Sequence, residues 1–426
     1  MIITIIATGS RGDVQPYIAL GKGLKAAGYT VRLATHEDFE QLVRLHGLDY
    51  WPIKGNVTEV AQGAAMIELL ENGNFLSIMS EMARAAEESA IHLVEGGLAA
   101  CQGSDLMVGG LGGIYIGLAI AEKLDIPLLQ AYYVPFTPTR AFPSVLLPMT
   151  LPNLGGALNY RSHHLTRQVM WQGFRRADKK ARQQLLGLPK PSFWGPYRSK
   201  YAAGLPILYA FSPVVVPKPA DWDENIQVTG YWFLDLTEDW SPPAQVSAFL
   251  EAGSKPLYIG FGSLSNQNPE ATADLVLEAL TRTGQRAIVL SGWGGLRKTE
   301  LPETVLMVDS IPHAWLFPRM AAVVHHGGAG TTAAGLRAGV PSIVIPFFGD
   351  QPFWGQRVVA LGVGPEPIPR KKLTVERLTL AIERAMSDQR MQEQSAELGE
   401  RIRAEDGVKA AVAVVQQLEQ KLTKET

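Results

Sequence analysis

Two runs of this chain start alike, and that likeness limits the folds open to it. Ile2-Ile3-Thr4-Ile5-Ile6 and Leu257-Tyr258-Ile259 are short and apolar, and each leads into Gly-Ser, at Gly9-Ser10 and again at Gly262-Ser263. Such runs read as strands buried on both faces of a parallel sheet. After the first, Pro16 suits an opening helical turn, Ile18, Leu20 and Leu24 supply an apolar side, and Gly28 ends the helix. A strand over Thr30–Thr35, a helix over Asp38–Leu45 and a strand over Leu48–Ile53 follow. After the second run come a helix over Glu270–Arg282 and strands at Ala287–Leu290, Val305–Val308, Ala322–His325 and Ser342–Ile345. An alternation that restarts in this way predicts an α/β protein with two Rossmann-like doubly wound domains facing across a cleft.

The expected boundaries are 1–215 for an N-terminal domain, 216–243 for a Pro-rich and acidic interdomain linker, and 244–385 for a C-terminal domain. Residues 386–426 are expected to form closing helices that pack back toward the N-terminal domain. Helical spacing of Leu378, Ile382 and Met386, and later of Ala410, Val414 and Leu418, underlies that reading.

With 39 Lys+Arg against 41 Asp+Glu, no global charge draws the chain to nucleic acid. Its single cysteine, Cys101, excludes an internal disulfide and fits a reducing compartment. No basic residue precedes the first apolar run, so the N-terminus suits a strand better than a signal peptide, and a cytoplasmic protein is expected. The two long uncharged stretches are interrupted by Gly or Pro and do not read as membrane spans.

The string Val323-Val324-His325-His326-Gly327-Gly328-Ala329-Gly330-Thr331-Thr332 runs from a strand through a Gly-rich turn into a helix. A helix N-terminus with its free N–H groups favours an anion, and glycine lets backbone approach closely. The string is neither a Walker A loop nor GxGxxG. By spacing alone it is either a metal-free diphosphate cradle or a tight strand-to-helix turn. Asp350 and Gln351, just past a strand, can bind vicinal hydroxyls or cap the next helix. No set of histidines and carboxylates has metal-ligand spacing, and His325 reads as a packed neighbour of the turn.

The segment from Asp309 to Arg357 resembles the C-terminal signature of family 1 glycosyltransferases of the GT-B fold. Gly9-Ser-Arg-Gly-Asp-Val-Gln-Pro-Tyr-Ile-Ala-Leu20 resembles the N-terminal one. Within that family the chain is most similar to sterol 3β-glucosyltransferases and bacterial antibiotic glycosyltransferases. The resemblance implies a nucleoside diphosphate sugar donor, UDP-glucose above all, and a hydrophobic acceptor such as a sterol or lipid. It implies no further cofactor and no metal. Carried over by residue, it puts the nucleotide base at Ile311-Pro312-His313 and near Trp293. Ser263, His326, Gly328, Gly330 and Thr331 fall to the diphosphate, and Asp350 and Gln351 to the sugar. Ser10 and Arg11 are taken as donor contacts from the N-terminal loop. Plant members carry His where this chain has Asp13, and Asn where it has Gly330, so only backbone is offered at Gly330.

Transfer to an alcohol needs a base for the acceptor proton, and Asp13 is the candidate. The alternative for Asp13 is a cap on the following helix. One base and no nucleophile imply displacement with inversion. Other readings are a TDP-deoxysugar transferase of the antibiotic type, a nucleotide-sugar epimerase and a silent helper on the same fold. A Rossmann oxidoreductase is disfavoured because Gly9–Gly12 lacks GxGxxG.

Between Ile126 and Tyr160 the only charge is Arg140, and Pro repeatedly interrupts an apolar segment. It reads as an acceptor-binding wall, with Tyr132, Phe136, Phe142 and Met149 as contacts, or as a core connector. Asp221-Trp222-Asp223 is a DxD in the expected linker and is read as a solvated turn. Arg175, Arg176, Lys179, Lys180 and Arg182 crowd one helix. They form a solvated face or, beside the apolar segment, a peripheral contact with the inner face of a membrane.

Overall fold

The computed structural model describes residues 1–55, 75–146, 153–237, 240–261, 269–291 and 301–425. The first half runs β1 (Ile2–Ile6), α1 (Arg11–Ala26), β2 (Thr30–His36), α2 (Glu40–Leu45), β3 (Asp49–Ile53), α3 (Phe75–Cys101), β4 (Leu106–Gly109), α4 (Ile114–Leu124), β5 (Leu128–Tyr132), α5 (Gly156–Lys180), β6 (Ile207–Tyr209) and β7 (Ile226–Val228). These strands form one sheet in the order β3-β2-β1-β4-β5-β6-β7. The second half runs α6 (Ala244–Glu251), β8 (Leu257–Gly260), α7 (Pro269–Thr283), β9 (Ala287–Leu290), β10 (Val305–Val308), α8 (His313–Leu316), β11 (Val323–His325), α9 (Ala329–Ala338), β12 (Ser342–Val344), α10 (Gln351–Ala360), α11 (Val375–Ser387), α12 (Gln389–Arg403) and α13 (Gly407–Glu425). Its strands form a second sheet, β10-β9-β8-β11-β12.

All the strand pairs among the described residues are parallel. Strand side chains alternate in direction, so a strand covered on both faces must be apolar on both. In β1, Ile3 and Ile5 pack with Leu20 and Leu24 of α1, while Ile6 joins α3 and α4 on the other face. Each sheet reverses its strand order once, between β1 and β4 and between β8 and β11, and open α/β sheets bind ligands at those carboxyl ends.

The closing helices cross from one half to the other. Leu378 and Ile382 of α11 belong to the core of the second sheet, whereas Ala411, Val415 and Leu418 of α13 belong to the core of the first. Arg357 of α10 donates twice to the Val215 carbonyl, at 2.9 and 2.6 Å, and Trp354 is buried in one cluster with Phe211 and Val215. The halves thus share apolar packing as well as a cleft.

Three expectations need correction. Residues 216–243 are no free linker: Ile226–Val228 pairs with β6, and Trp232 lies in the first core. The Asp-Trp-Asp segment is no solvated turn either, because Trp222 is buried and stacks on Tyr209 at 4.7 Å. Asp221 there accepts from the Thr139 hydroxyl and the Arg140 N–H. Leu128–Tyr132 is an interior strand rather than part of an open apolar loop. Burial of aromatic and β-branched side chains overrides the Pro-rich composition in each case.

Asp178 on α5 is 3% exposed, and burial pushes its carboxyl up to about 7. A carboxyl raised on folding binds more protons in the native state, so stability falls as pH rises from about 4 through about 7. Asp178→Asn keeps the neutral form at every pH. Its unfolding temperature, relative to the unsubstituted chain, should climb from pH 5 to pH 8, and a pH-independent difference would contradict this origin. Among the described residues no helix is long and apolar enough to cross a membrane.

Candidate functional site

At the first switch point, the loop after β1 bends over the start of α1. Gly9 has φ +129°, and a Cβ there would lie 2.5 Å from Asp13 Oδ2, so only glycine lets the loop close on this carboxylate. The Ser10 backbone N–H and hydroxyl both donate to Asp13 Oδ2, at 2.6 and 2.7 Å. The Tyr133 hydroxyl donates to Oδ1. Asp13 therefore does cap α1, and it also stands in a small crevice with Thr8, Tyr17, Gly110–Gly113 and Tyr133. Burial, then the negative charge of Asp13, pushes the Tyr133 hydroxyl well above its usual range, so it stays a donor.

At the second switch point, β11 runs through Gly327-Gly328 into α9. Gly327 has φ +88°, and its N–H donates to His325 Nδ1 at 3.0 Å. His325 is wholly buried, its pKa held well below the ordinary value by burial and then by His326. It locks the turn. Gly328 stands at the N-cap of α9, with Gly330 and Thr331 in the first turn, so the free N–H groups of the helix face out of this loop. The His326 ring lies over Gly328, and burial lowers its pKa to about 4, which keeps it neutral. Among the described residues its Nδ1 is enclosed without a hydrogen-bond partner.

Asp350 stands at the N-cap position of α10 without a side-chain bond to the helix backbone, and its Oδ2 accepts from Trp354 Nε1 at 2.7 Å. Burial pushes its carboxyl up to about 6; the Trp354 bond pulls against the rise, and the charge of Asp13 adds to it. The charge of Asp350 likewise acts on Tyr133. Burial first, and then the positive charge of Arg11, lowers His313 to about 4. The loop at the head of α1 and the ends of the second sheet are thus within electrostatic reach of each other. Two carboxylates, a tyrosine hydroxyl and a helix N-terminus converge between the halves, an arrangement able to hold an anion and take up a proton.

The remaining expected residues fall in different places. Ile311 is buried in the second half, so only its backbone can meet a ligand. His313 stacks on Phe317 at 4.2 Å and pairs with the Tyr258 hydroxyl at 3.2 Å. Gln351 is mostly buried, and its Oε1 accepts from Phe347 and Phe348 N–H, which leaves its amide nitrogen for a ligand. Ser10 and Arg11 are exposed at the head of α1. Ser263, Trp293 and Met149 lie outside the described residues. Tyr132 and Phe136 are not at the crevice: both are buried in an aromatic cluster. Phe142 packs on Phe353 of α10, at the seam between the halves.

The residue that meets Asp13 is Tyr133, the other half of the Tyr132-Tyr133 doublet. Neighbouring side chains at a strand end point to opposite faces, and the sequence does not say which tyrosine faces inward. Trp354, which holds Asp350, was also missed as a site residue, although its i, i+4 spacing from Asp350 at a helix start was legible.

The pattern of the glycosyltransferase family 28 N-terminal domain matches residues 3–143. That of the erythromycin biosynthesis protein CIII-like C-terminal domain matches residues 275–420. The sterol 3-beta-glucosyltransferase UGT80B1 of Arabidopsis thaliana is 39% identical over 421 residues, covering 96% of this chain and 67% of that protein. UGT80A2 of the same plant is 39% identical over 423 residues, 97% of this chain and 64% of the relative. A sterol 3-beta-glucosyltransferase of Emericella nidulans is 40% identical over 426 residues, 97% of this chain but 30% of its own length. The chain thus spans about two thirds of the plant relatives and under a third of the fungal one. Among solved structures, the glycosyltransferase of kitacinnamycin superposes with a TM-score of 0.69 at 20% identity, covering 98% of both chains. VinC in complex with dTDP superposes with a TM-score of 0.66 at 17% identity, covering 99% of this chain and 100% of that one.

Proposed function

The chain belongs to the family of the sterol 3-beta-glucosyltransferases and has the GT-B fold, and from that premise we propose that it transfers glucose from UDP-glucose to a hydroxyl of a sterol or similar hydrophobic alcohol, with inversion. The observation that carries the reading is that the charge of Asp13, on the first half, reaches the Asp350 carboxyl on the second, beside the N-terminus of α9.

In this reading the half built on the first sheet holds the acceptor and the half built on the second holds the donor. The donor diphosphate lies against the free N–H groups of Gly330 and Thr331, with His326 beside it and the base at the 311–313 turn. Asp350 and the Gln351 amide meet the sugar hydroxyls, and Arg11 reaches over from α1. The acceptor oxygen attacks the anomeric carbon on the side away from the diphosphate. A new C–O bond forms, the bond to the diphosphate breaks, and the acceptor proton passes to Asp13. The α9 dipole supports the departing charge, the task a divalent cation performs in other transferases.

The test is direct. UDP-glucose with a sterol in detergent should yield a β-glucoside in the presence of EDTA, and UDP should raise the unfolding temperature. Stabilisation by TDP-sugars alone would favour the antibiotic-type reading, and a requirement for Mg²⁺ would overturn the role given to α9.

A peripheral membrane contact is part of the proposal. Leu158 and Leu165 on α5 are 51% and 60% exposed, and Trp194, which follows the Phe193 held against α5, is 73% exposed. Gln168 and Gln172 of α5 hold the Phe193 carbonyl, and Arg161, Arg176 and Lys179 flank the patch with exposed charge. Exposed leucine and tryptophan beside cations suit an anionic bilayer surface. The protein should sediment with phosphatidylserine vesicles at low salt, and the double change Leu165→Glu, Trp194→Glu should abolish that. Absence of binding at low salt would dismiss the contact.

A further inference from the structure

A cavity of about 290 Å³ lies on the α4 and α5 side of the first sheet, and it shares no lining residue with the Asp13 crevice. Tyr132 lines it while Tyr133 meets Asp13, so the two sites occupy opposite faces of the same strand end.

Arg167 of α5 is the one basic residue on its wall. The guanidinium lies over the rings of Phe136 and Tyr197, 4.8 and 4.9 Å from their centres. Those rings hold its plane and leave the N–H edge free. Among the described residues this guanidinium has no carboxylate partner and no hydrogen-bond acceptor, and its Nε is enclosed without a partner. An enclosed donor with nothing to bond is costly unless something enters to accept from it.

The neighbouring polar groups are also left as donors. Tyr132 donates to Gln130 Oε1, which leaves the Gln130 amide nitrogen. Tyr209 donates to Thr137 Oγ1, which leaves the Thr137 hydroxyl proton. The one acid on the lining, Asp223, is exposed and accepts from the Asn225 N–H. Much of the rest of the wall is apolar, from Ile114, Leu118, Pro196, Leu205 and Ile207.

We propose that this cavity is a second small-molecule site, which takes an amphipathic monocarboxylate. The carboxylate forks onto the Arg167 edge and accepts from Gln130 and Thr137, and the apolar body lies against Leu118 and Leu205. A flat anion matches the guanidinium fork. A phosphate dianion would leave a charge uncompensated, since only one cation lines the cavity.

Titration calorimetry of the full chain with octanoate and with octanamide, each with UDP present and absent, tests this. Octanoate should bind at least tenfold more tightly than octanamide, with or without UDP. Arg167→Met keeps an unbranched apolar stem but removes the guanidinium that lies over the rings, and should erase that preference. Ala202→Phe puts a ring into the cavity while Arg167 itself is kept, and should remove octanoate binding. Equal affinities of the two probes, or unchanged octanoate binding in Arg167→Met, would overturn the site. If Arg167→Met proves unfolded by its melting curve, Ala202→Phe decides, and unaltered octanoate binding there overturns the proposal.

Discussion

Asp13→Ala should lower glucosyl transfer by roughly 10²- to 10⁴-fold, the usual contribution of a positioned general base, while nucleotide affinity stays as it was. The separation follows from position: Asp13 sits on the first half, and the Gly327-Gly328 turn proposed to hold the diphosphate belongs to the second. Asp13 also accepts from Ser10, so its loss removes a cap and should cost about 0.5–2 kcal/mol of stability. Asp13→Asn separates the two roles, because an amide keeps the shape but cannot take the proton. Single-turnover kinetics on both variants provide the check. Near-normal turnover in Asp13→Asn would remove this residue from the chemistry, and the Tyr133 contact would then be structural only.

Gly327→Ala should weaken diphosphate binding strongly. The φ of +88° is a conformation that side chains rarely adopt, and a Cβ there would stand 2.6 Å from Val344 Cγ1 and 3.1 Å from the Gln351 carbonyl. Forcing a non-glycine residue into such a conformation costs about 1–3 kcal/mol before the clash is counted. To relax, the turn must move away from β12 and the start of α10, which takes the N-terminus of α9 out of register with the Asp350–Gln351 pair. Calorimetric titration with UDP should show an affinity loss of at least ~5- to 150-fold, the range that this strain alone represents. A variant that folds and binds UDP as the unsubstituted chain does would show that this turn is not the cradle.

The second sheet was legible strand by strand, since Ala287–Leu290 and Val305–Val308 are compact apolar runs with polar or Gly-bearing flanks. The first was less so. β5, β6 and β7 lie among prolines and aromatics that read as loop or linker, and they pair only because Tyr209, Phe211 and Trp222 pack together beneath the Pro-rich segments. Asp13, Asp350 and the Gly327-Gly328 turn could be picked out by residue type and neighbours. Trp354 lies four residues from Asp350 and was legible as well; Tyr133 and Arg167 were not, because what singles each out is a partner far along the chain or, among the described residues, the lack of one.

The sequence by itself determined the alternation of strands and helices, the two Gly-Ser openings and the identity of the chemical groups, since propensity and short-range spacing are local properties. Tertiary structure alone decided that the carboxylate of one half feels that of the other, and that one tyrosine of a doublet faces the crevice and its neighbour a cavity. Those outcomes depend on how two sheets are set against each other by α10 and α13. That setting comes from the burial of side chains far apart in the chain, which no local pattern encodes.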